Sequence, residues 1–546
     1  MSKLHKSIFM VWIFVLLMTS CQSQSTDPLI TSDTLQEVAT PDENLSFMTD
    51  TTLEILYTND RCWGVRYEND DNAMINYVSL SNLCKEKLGF PIKFKLVSSA
   101  PAGKSSDIAL HIQSGLSGDL IFPVNTFTTQ DKSDFHWGQE YIRQGLYMDL
   151  SPYLERFCPE AILNFERYPQ IKDNLIIDGK IYAIYAGVPL MKTAFLKVKN
   201  DLLRETGVDI NSINSVDALY EFMDGLYHGN EPDSSFRKIF VAIDTLLDYA
   251  VTSSGYYRFF GYPDIVFDIN DESCTPRLIE DTSVIDTFYE LFYKFIKNGY
   301  FTVESGESNF SDDTDESGQD ITLSFWNPDT TKYLVGNTID EKNNVFQKYS
   351  FALMNDFTPV AHLFNTFIHI MVPVTSTQPE KALIFMQWLM TDKDAADILT
   401  FGSQLLNMNH YRFAEDGQTI IPEKRNTIYA FYNLVGNFSE KPFLYGKHDI
   451  IHEYKERSYQ VIYPHLIKKI DSDNELHAKF ADTVNTASIR AQSDKRRSYL
   501  EKALGEIIQN PYTDRNINRI KNGIADAVNA EEFKEMITEA IYKVFD

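Results

Sequence analysis

Basic charge is what this chain is short of. Its 546 residues carry 50 Lys and Arg against 77 Asp and Glu, a formal net charge of −27. Nucleic-acid binding needs Lys and Arg stripes to neutralise phosphates, so this balance argues against it. Cysteine is scarce too, with five residues and no CxxC spacing, far below the density of a disulfide scaffold. No GxSxG, P-loop or GxGxxG occurs, which leaves acyl transfer and nucleotide chemistry without support. A glycosidase's carboxylate pair could still sit among the 77 acids, because sequence alone does not single one out. Long apolar runs are absent as well: the longest, Ile8 to Met18, is about half of the ~20 residues a spanning helix requires.

What is present is an ordinary globular composition, 43% hydrophobic and 23% charged, on a chain too long for a single core. Two or more domains are the expectation. The opening "MSKLHKSIFMVWIFVLLMTSC" joins Lys3 and Lys6 to a short apolar stretch and small residues, the pattern of an export signal. Its ending, "LMTSC", resembles the bacterial lipoprotein box, with Met18 where Leu is usual. That likeness implies a signal peptide over 1–20 and lipid attachment at Cys21; an ordinary secretory signal is the plainer alternative. Residues 21–52 are rich in Ser, Thr, Asp and Pro and read as a flexible tether. Buried free thiols are expected for Cys62, Cys84, Cys158 and Cys274, with a Cys62–Cys84 bridge left open.

From residue 53 strands and helices alternate. "LEILYT" (53–58), "IKFKLV" (92–97) and "SGDLIF" (117–122) read as strands, separated by helical patterns over 74–88 and 107–114. That order predicts a parallel α/β layer with ligands beyond the carboxyl ends of its strands. The loops there hold Trp63, Asn125, Phe127, His136, Trp137 and Tyr141. Aromatic faces among amides suit sugars, although each ring could equally pack under its own loop. In "NLIIDGKIYAIYAGVP" (174–189), Asp178-Gly179 between apolar runs predicts a tight hairpin.

Four segments in order, "SGDLIF", "GLYMDLSPYLERFCPE", "DGKIYAIYAG" and "FLKVKNDLLRETGVD", together with "VPVTSTQPEKALIFMQWLMTDKDAADILTFG" (372–402), resemble the extracellular solute-binding proteins of ABC importers, the large group with sugar-binding members. Gly118, Asp119, Asp149, Leu150, Pro152, Asp178, Gly179, Tyr182, Ala183, Asn200 and Asp201 match the pattern, which spans most of 53–412. The resemblance implies an α/β, two-lobe fold of the periplasmic-binding-protein kind, with hinge crossings and a helical C-terminal region. Lobe 1 would hold 53–187 and 363–414, lobe 2 would hold 188–362, and 415–546 would pack on lobe 2. It implies a ligand cleft at the hinge, no catalytic residue, no cofactor and no resident metal. By the same likeness the chain would be a monomer, lipid-anchored on the extracytoplasmic face of the cell membrane, delivering a mono- or oligosaccharide to separate permease subunits. A sensor or adhesion lipoprotein of the same fold, or a peptide binder, is the alternative.

One departure stands out: Tyr185 occupies the place where the family usually has Pro, adding an aromatic face and a hydroxyl. Tyr185 is thus a cleft candidate, with a core tyrosine as the even alternative; Tyr182 reads as core. Trp326, at the end of the strand "ITLSF", and Asn365, at the return crossing, complete the ligand-binding candidates with Trp63, Asn125, His136 and Trp137. Three further features read as structure. "HDIIHE" (448–453) has His one turn apart but lacks the Glu of HExxH. "DTDESGQDITLS" (313–324) has Ser324 where a calcium loop needs Glu. In the segment 372–402, Pro379 opens a helix with Ala382, Phe385, Met386 and Leu389 on one face, and Thr391 caps a second helix ending at Gly402. Near the C-terminus, Asn529 with Glu532 predicts a capped last helix.

Overall fold

The computed structural model describes residues 51–58, 71–98, 105–116, 118–122, 141–189, 191–227, 237–258, 264–304, 319–326, 345–361, 370–402, 411–422, 435–442, 448–471, 479, 483–484, 486–509 and 517–545, all within the unit Asp50–Asp546. The first lobe begins with β1 (Leu53–Thr58), α1 (Asp71–Leu88), β2 (Ile92–Ser98), α2 (Ser105–Gln113) and β3 (Leu120–Ile121). Three helices follow, α3 (Ser151–Phe157), α4 (Pro159–Arg167) and α5 (Pro169–Leu175), then β4 (Ile176–Ile177), β5 (Lys180–Ile181) and β6 (Ala183–Ile184). Pro is early in each of these helices, where its missing N–H costs nothing. β1 pairs in parallel with β2 and β3, as the alternating pattern predicts. The β4–β5 hairpin forms on the expected dipeptide, with Asp178 at φ 51° and Gly179 at φ 76°, the two left-handed residues a type I′ turn requires.

The second lobe holds β7 (Met191–Lys199), α6 (Asn200–Thr206), α7 (Val216–Tyr227), β8 (Ile239–Ala242), α8 (Ile243–Ser253), β9 (Tyr256–Arg258), β10 (Ile265–Asp268) and β11 (Arg277–Leu278). It continues through α9 (Val284–Asn298), β12 (Phe301–Glu304), β13 (Ile321–Trp326), α10 (Val345–Lys348), β14 (Tyr349–Leu353) and β15 (Val360–Ala361). Its sheet runs β12-β8-β13-β7-β14, with β15 added beside β7. β7 is covered on both faces. Ala194, Leu196 and Val198 enter the large core beneath α8 and α9, while Met191 and Phe195 enter a second cluster. Burial on both faces is why apolar residues stand side by side at Ala194, Phe195 and Leu196 rather than alternating with polar ones. α9 shows the helical counterpart: Val284, Phe288, Phe292, Phe295 and Ile296 are buried on one stripe, and Gly299 ends the helix at φ 69°.

The chain then returns to the first sheet as β16 (Ile370–Met371), giving the order β2-β1-β3-β16-β6. α11 (Pro379–Thr391) and α12 (Lys393–Phe401) follow, and Ala382, Phe385, Met386 and Leu389 are all fully buried on α11. The cap between these helices is one residue later than expected. Thr391 is still helical and donates to the Gln387 carbonyl, while the Asp392 carboxylate accepts from Ala395 N at 2.8 Å. A single non-helical residue joins the helices, so only Asp392 has the extended backbone an N-cap needs.

β17 (Tyr411–Phe413) and β18 (Ile420–Pro422) pack on Phe401. The remaining helices are α13 (His448–Ser458), α14 (His465–Asp471), α15 (Ala487–Gln509), α16 (Ile517–Ala527) and α17 (Ala530–Phe545). Leu500, Leu504, Ile520 and Ile524 of α15 and α16 complete the second lobe's core. Arg496 of α15 has no exposed surface; it bonds Asp264 at 2.6 Å and both carboxylate oxygens of Glu280 at 2.8 and 2.6 Å. Asn529 caps α17 as expected, with Glu532 N 3.4 Å from its side-chain oxygen. No helix of the described residues is long and apolar enough to cross a membrane.

Candidate functional site

The chain passes twice between the two sheets. The first passage leaves β6 at Ile184 and enters β7 at Met191; the second leaves β15 at Ala361 and re-enters at β16. Tyr185 opens the first passage with 1% of its surface exposed. Its ring packs edge-on to Tyr168, with centroids 5.3 Å apart, and its hydroxyl donates to the Val188 carbonyl. Burial, with Tyr168, Tyr454 and Tyr459 nearby, pushes its pKa well above the ordinary tyrosine value. Here Tyr185 is a wedge inside the hinge, its hydroxyl already satisfied. This chain fixes the passage through a side-chain bond.

Residues 435–442 and 448–462 clasp the first passage and β15, where the second passage begins. Gly436 N donates to Ala186 O at 2.8 Å, and the backbones lie so close that a Cβ on Gly436 would sit 1.9 Å from Gly187 O. On the first-lobe side, Asn437 bonds the carbonyls of Leu389 and Asp392 at 3.0 Å each, and Ser439 bonds Asp397 at 2.5 Å. On the second-lobe side, Ile450, Ile451 and Tyr454 of α13 pack on Phe195, Phe351 and Leu353. Tyr454 donates to Met191 O at 2.6 Å and Ile462 N donates to Pro359 O at 3.1 Å, while Ser458 shares a 2.7 Å bond with Tyr168 of the first lobe. Within this clasp Lys455 Nζ donates to Gly436 O at 2.6 Å. Burial, aided by Arg167, pushes that ammonium's pKa down to about 8.

The second lobe's edge beside the hinge is set by strand direction. β7 runs antiparallel to β13, with Thr193 opposite Trp326, and β13 and β12 are parallel to β8. The start of β7 therefore lies at the edge where those strands end, the side on which open α/β sheets receive ligands. A chain of alternating charges lines it. Lys192 Nζ is 2.7 Å from Asp248, which is 2.6 Å from Arg258; Arg258 is 2.6 Å from Asp244, and Asp244 is 3.2 Å from Arg497. Burial works to raise the Asp248 carboxyl, but Arg258 and Lys192 together hold it below the ordinary carboxylate range.

Of the expected ligand residues, the hinge holds Tyr185, and Trp326 closes β13 at the edge just described. Trp63, Asn125, His136, Trp137 and Asn365 lie outside the described residues, as do Cys21 and residues 313–318 of "DTDESGQDITLS", whose last four residues, Ile321–Ser324, lie in β13. Cys84, Cys158 and Cys274 are free and buried; burial raises the thiols of Cys84 and Cys158 to about 12. The free Cys84 rules out the bridge to Cys62. His452 of "HDIIHE" lies 3.2 Å from Ser439 O, a contact within the clasp. Sequence patterning does not single out Lys192 and its partners. Lys192 within "VPLMKTAFL", and Asp244 and Asp248 one turn apart on α8, were the available signals.

No protein-family profile matches the chain, and no curated protein matches it. Solved structures do. The N-glycan transport solute-binding protein of Streptococcus pneumoniae is 13% identical, with a TM-score of 0.49 over 90% of this chain and 98% of that one. The substrate-binding protein FusA of Streptococcus pneumoniae, solved with kestose, is 11% identical, with a TM-score of 0.41 over 90% and 99%. The GacH receptor of Streptomyces glaucescens is 10% identical, with a TM-score of 0.41 over 89% and 98%. Likenesses at these identities and scores carry neither a ligand nor a residue role to this chain.

Proposed function

We propose that this chain is an extracytoplasmic solute-binding lipoprotein of an ABC importer, and that it captures a carbohydrate between its two lobes. The observation that carries the reading is the pair of passages between two separate α/β sheets, entering β7 and leaving β15, which are hydrogen-bonded neighbours. Adjacent passages leave each lobe rigid and concentrate backbone rotation at a few residues, the arrangement of hinge closure. A solute gripped by both lobes stabilises the closed form by its differential affinity for that form. The export signal, the lipoprotein box at Cys21 and the ordered motifs over 53–412 support the same reading. Lobe 1 is then 53–187 with 363–414, and lobe 2 is 188–362 with helices from the C-terminal part. The closed form, held at the membrane by its lipid, would present both lobes to permease subunits; the chain itself would carry out no chemistry.

Thermal shift of the chain against mono- and oligosaccharides and short peptides tests this. A ligand at 100 times its dissociation constant adds about 2.7 kcal/mol of stability, a resolvable rise in melting temperature. A shift with one glycan class supports the proposal. Shifts with peptides alone would replace sugar by peptide, and no shift with any solute would favour a sensor or adhesion role.

A further inference from the structure

Lys192 is the second residue of β7 and pairs with Val360 of β15, so it stands between the two passages at the edge described above. Its ammonium is held from two sides, 2.7 Å from Asp248 Oδ2 and 4.1 Å from the centroid of Phe325. About a third of the side chain is exposed, at 32%. One ammonium hydrogen goes to Asp248; beyond the Phe325 ring, the other two have no hydrogen-bond acceptor among the described residues.

The partners behind Lys192 fix its position. Asp248 is held in turn by Arg258 at 2.6 Å, Arg258 by Asp244 at 2.6 Å, Asp244 by Arg497 at 3.2 Å, and Arg497 by Glu501 at 2.5 Å. The six groups alternate in sign and balance. The lysine is thus a pinned donor with little rotamer freedom left to lose when it meets a ligand. Its field is largely cancelled by the carboxylate beside it. A hydroxyl can accept from the ammonium and donate to Asp248 at once. A ligand carboxylate can accept but has no proton to donate, and it would meet the Asp248 charge at close range.

We propose that Lys192 is a specificity-determining residue of the second lobe, offering fixed N–H donors to the hydroxyls of a neutral sugar and disfavouring sugars that carry carboxylates. This rests on the carbohydrate-binding reading above.

Isothermal titration of the full chain tests it, with maltotriose, cellotriose, mannotriose and xylotriose as neutral probes and trigalacturonate and trimannuronate as anionic ones. The expected result is binding of a neutral trisaccharide that falls at least about tenfold in Lys192→Met, the size of a lost charge-assisted hydrogen bond. Asp248 keeps Arg258 in that variant, so the circular dichroism and melting curve of the unliganded chain should stay near those of the parent. Lys192→Arg keeps the ion pair while moving the donors; it guards against a folding defect and should also bind more weakly. Unchanged affinity in both variants, or binding of the anionic probes alone, would overturn the role of Lys192 while leaving a sugar-binding protein. Binding of no trisaccharide would overturn this proposal and the carbohydrate reading together.

Discussion

The two lobes are stabilised differently at their centres. In the first, α11 lays Ala382, Phe385, Met386 and Leu389 into the core, and the enclosed Lys381 bonds Thr51 and Gln378. The second encloses charge pairs: Arg496 with Asp264 and Glu280, and Arg258 with Asp244 and Asp248. Buried ion pairs are poor sources of net stability but costly to break on one side. Their value here is registry. Arg496 lies 232 residues from Asp264 in sequence and fixes where α15 seats, and the Asp248 chain fixes where Lys192 points.

The largest effect should therefore come from Arg496→Met. It strands two buried carboxylates and should cost about 3–5 kcal/mol, read as a lower denaturant midpoint. Burial already raises both carboxyls above their ordinary values, against the pull of Arg496. Groups with raised folded pKa values hold more protons in the folded chain, so lowering the pH towards those values should restore part of the variant's loss. Next is Gly436→Ala, whose Cβ would fall 1.9 Å from Gly187 O, a backbone atom. A cost of about 1–3 kcal/mol is expected, together with weaker ligand binding, because the strain lies in the hinge; an unchanged melting temperature would contradict the close approach. Asp392→Ala removes the α12 cap in the first lobe and should cost about 1 kcal/mol, whereas Thr391→Val should cost less. The smallest is a slope. Lys455 titrates at about 8 in the folded chain, against about 10.4 for an ordinary lysine. Between those values the unfolded chain holds more protons, so stability should rise with pH across that window, and Lys455→Met should flatten the rise.

What could be read from the sequence was local. The Asp178-Gly179 hairpin, the α11 stripe and the Asn529 cap depend on neighbours within a turn or two, and each formed as expected. Thr391 was misjudged because two helices joined by one residue leave no gap in the periodicity to mark the boundary. The fate of Tyr185 depended on Tyr168 and Val188, and a buried wedge and a cleft aromatic look alike in one dimension. The clasp formed by 435–442 and 448–462 was invisible because its bonds, from Gly436, Asn437 and Tyr454, reach partners tens to hundreds of positions away, which no local pattern marks. The Lys192 network joins residues separated by tens to hundreds of positions, and charges spaced that way read as ordinary surface.

Small-angle X-ray scattering of the chain, alone and saturated with whichever trisaccharide raises its melting temperature, tests closure most directly. A fall in the radius of gyration on saturation, abolished when Lys192→Met prevents saturation, is the expected result. A bound sugar that leaves the radius unchanged would contradict a two-lobe protein that closes on its solute.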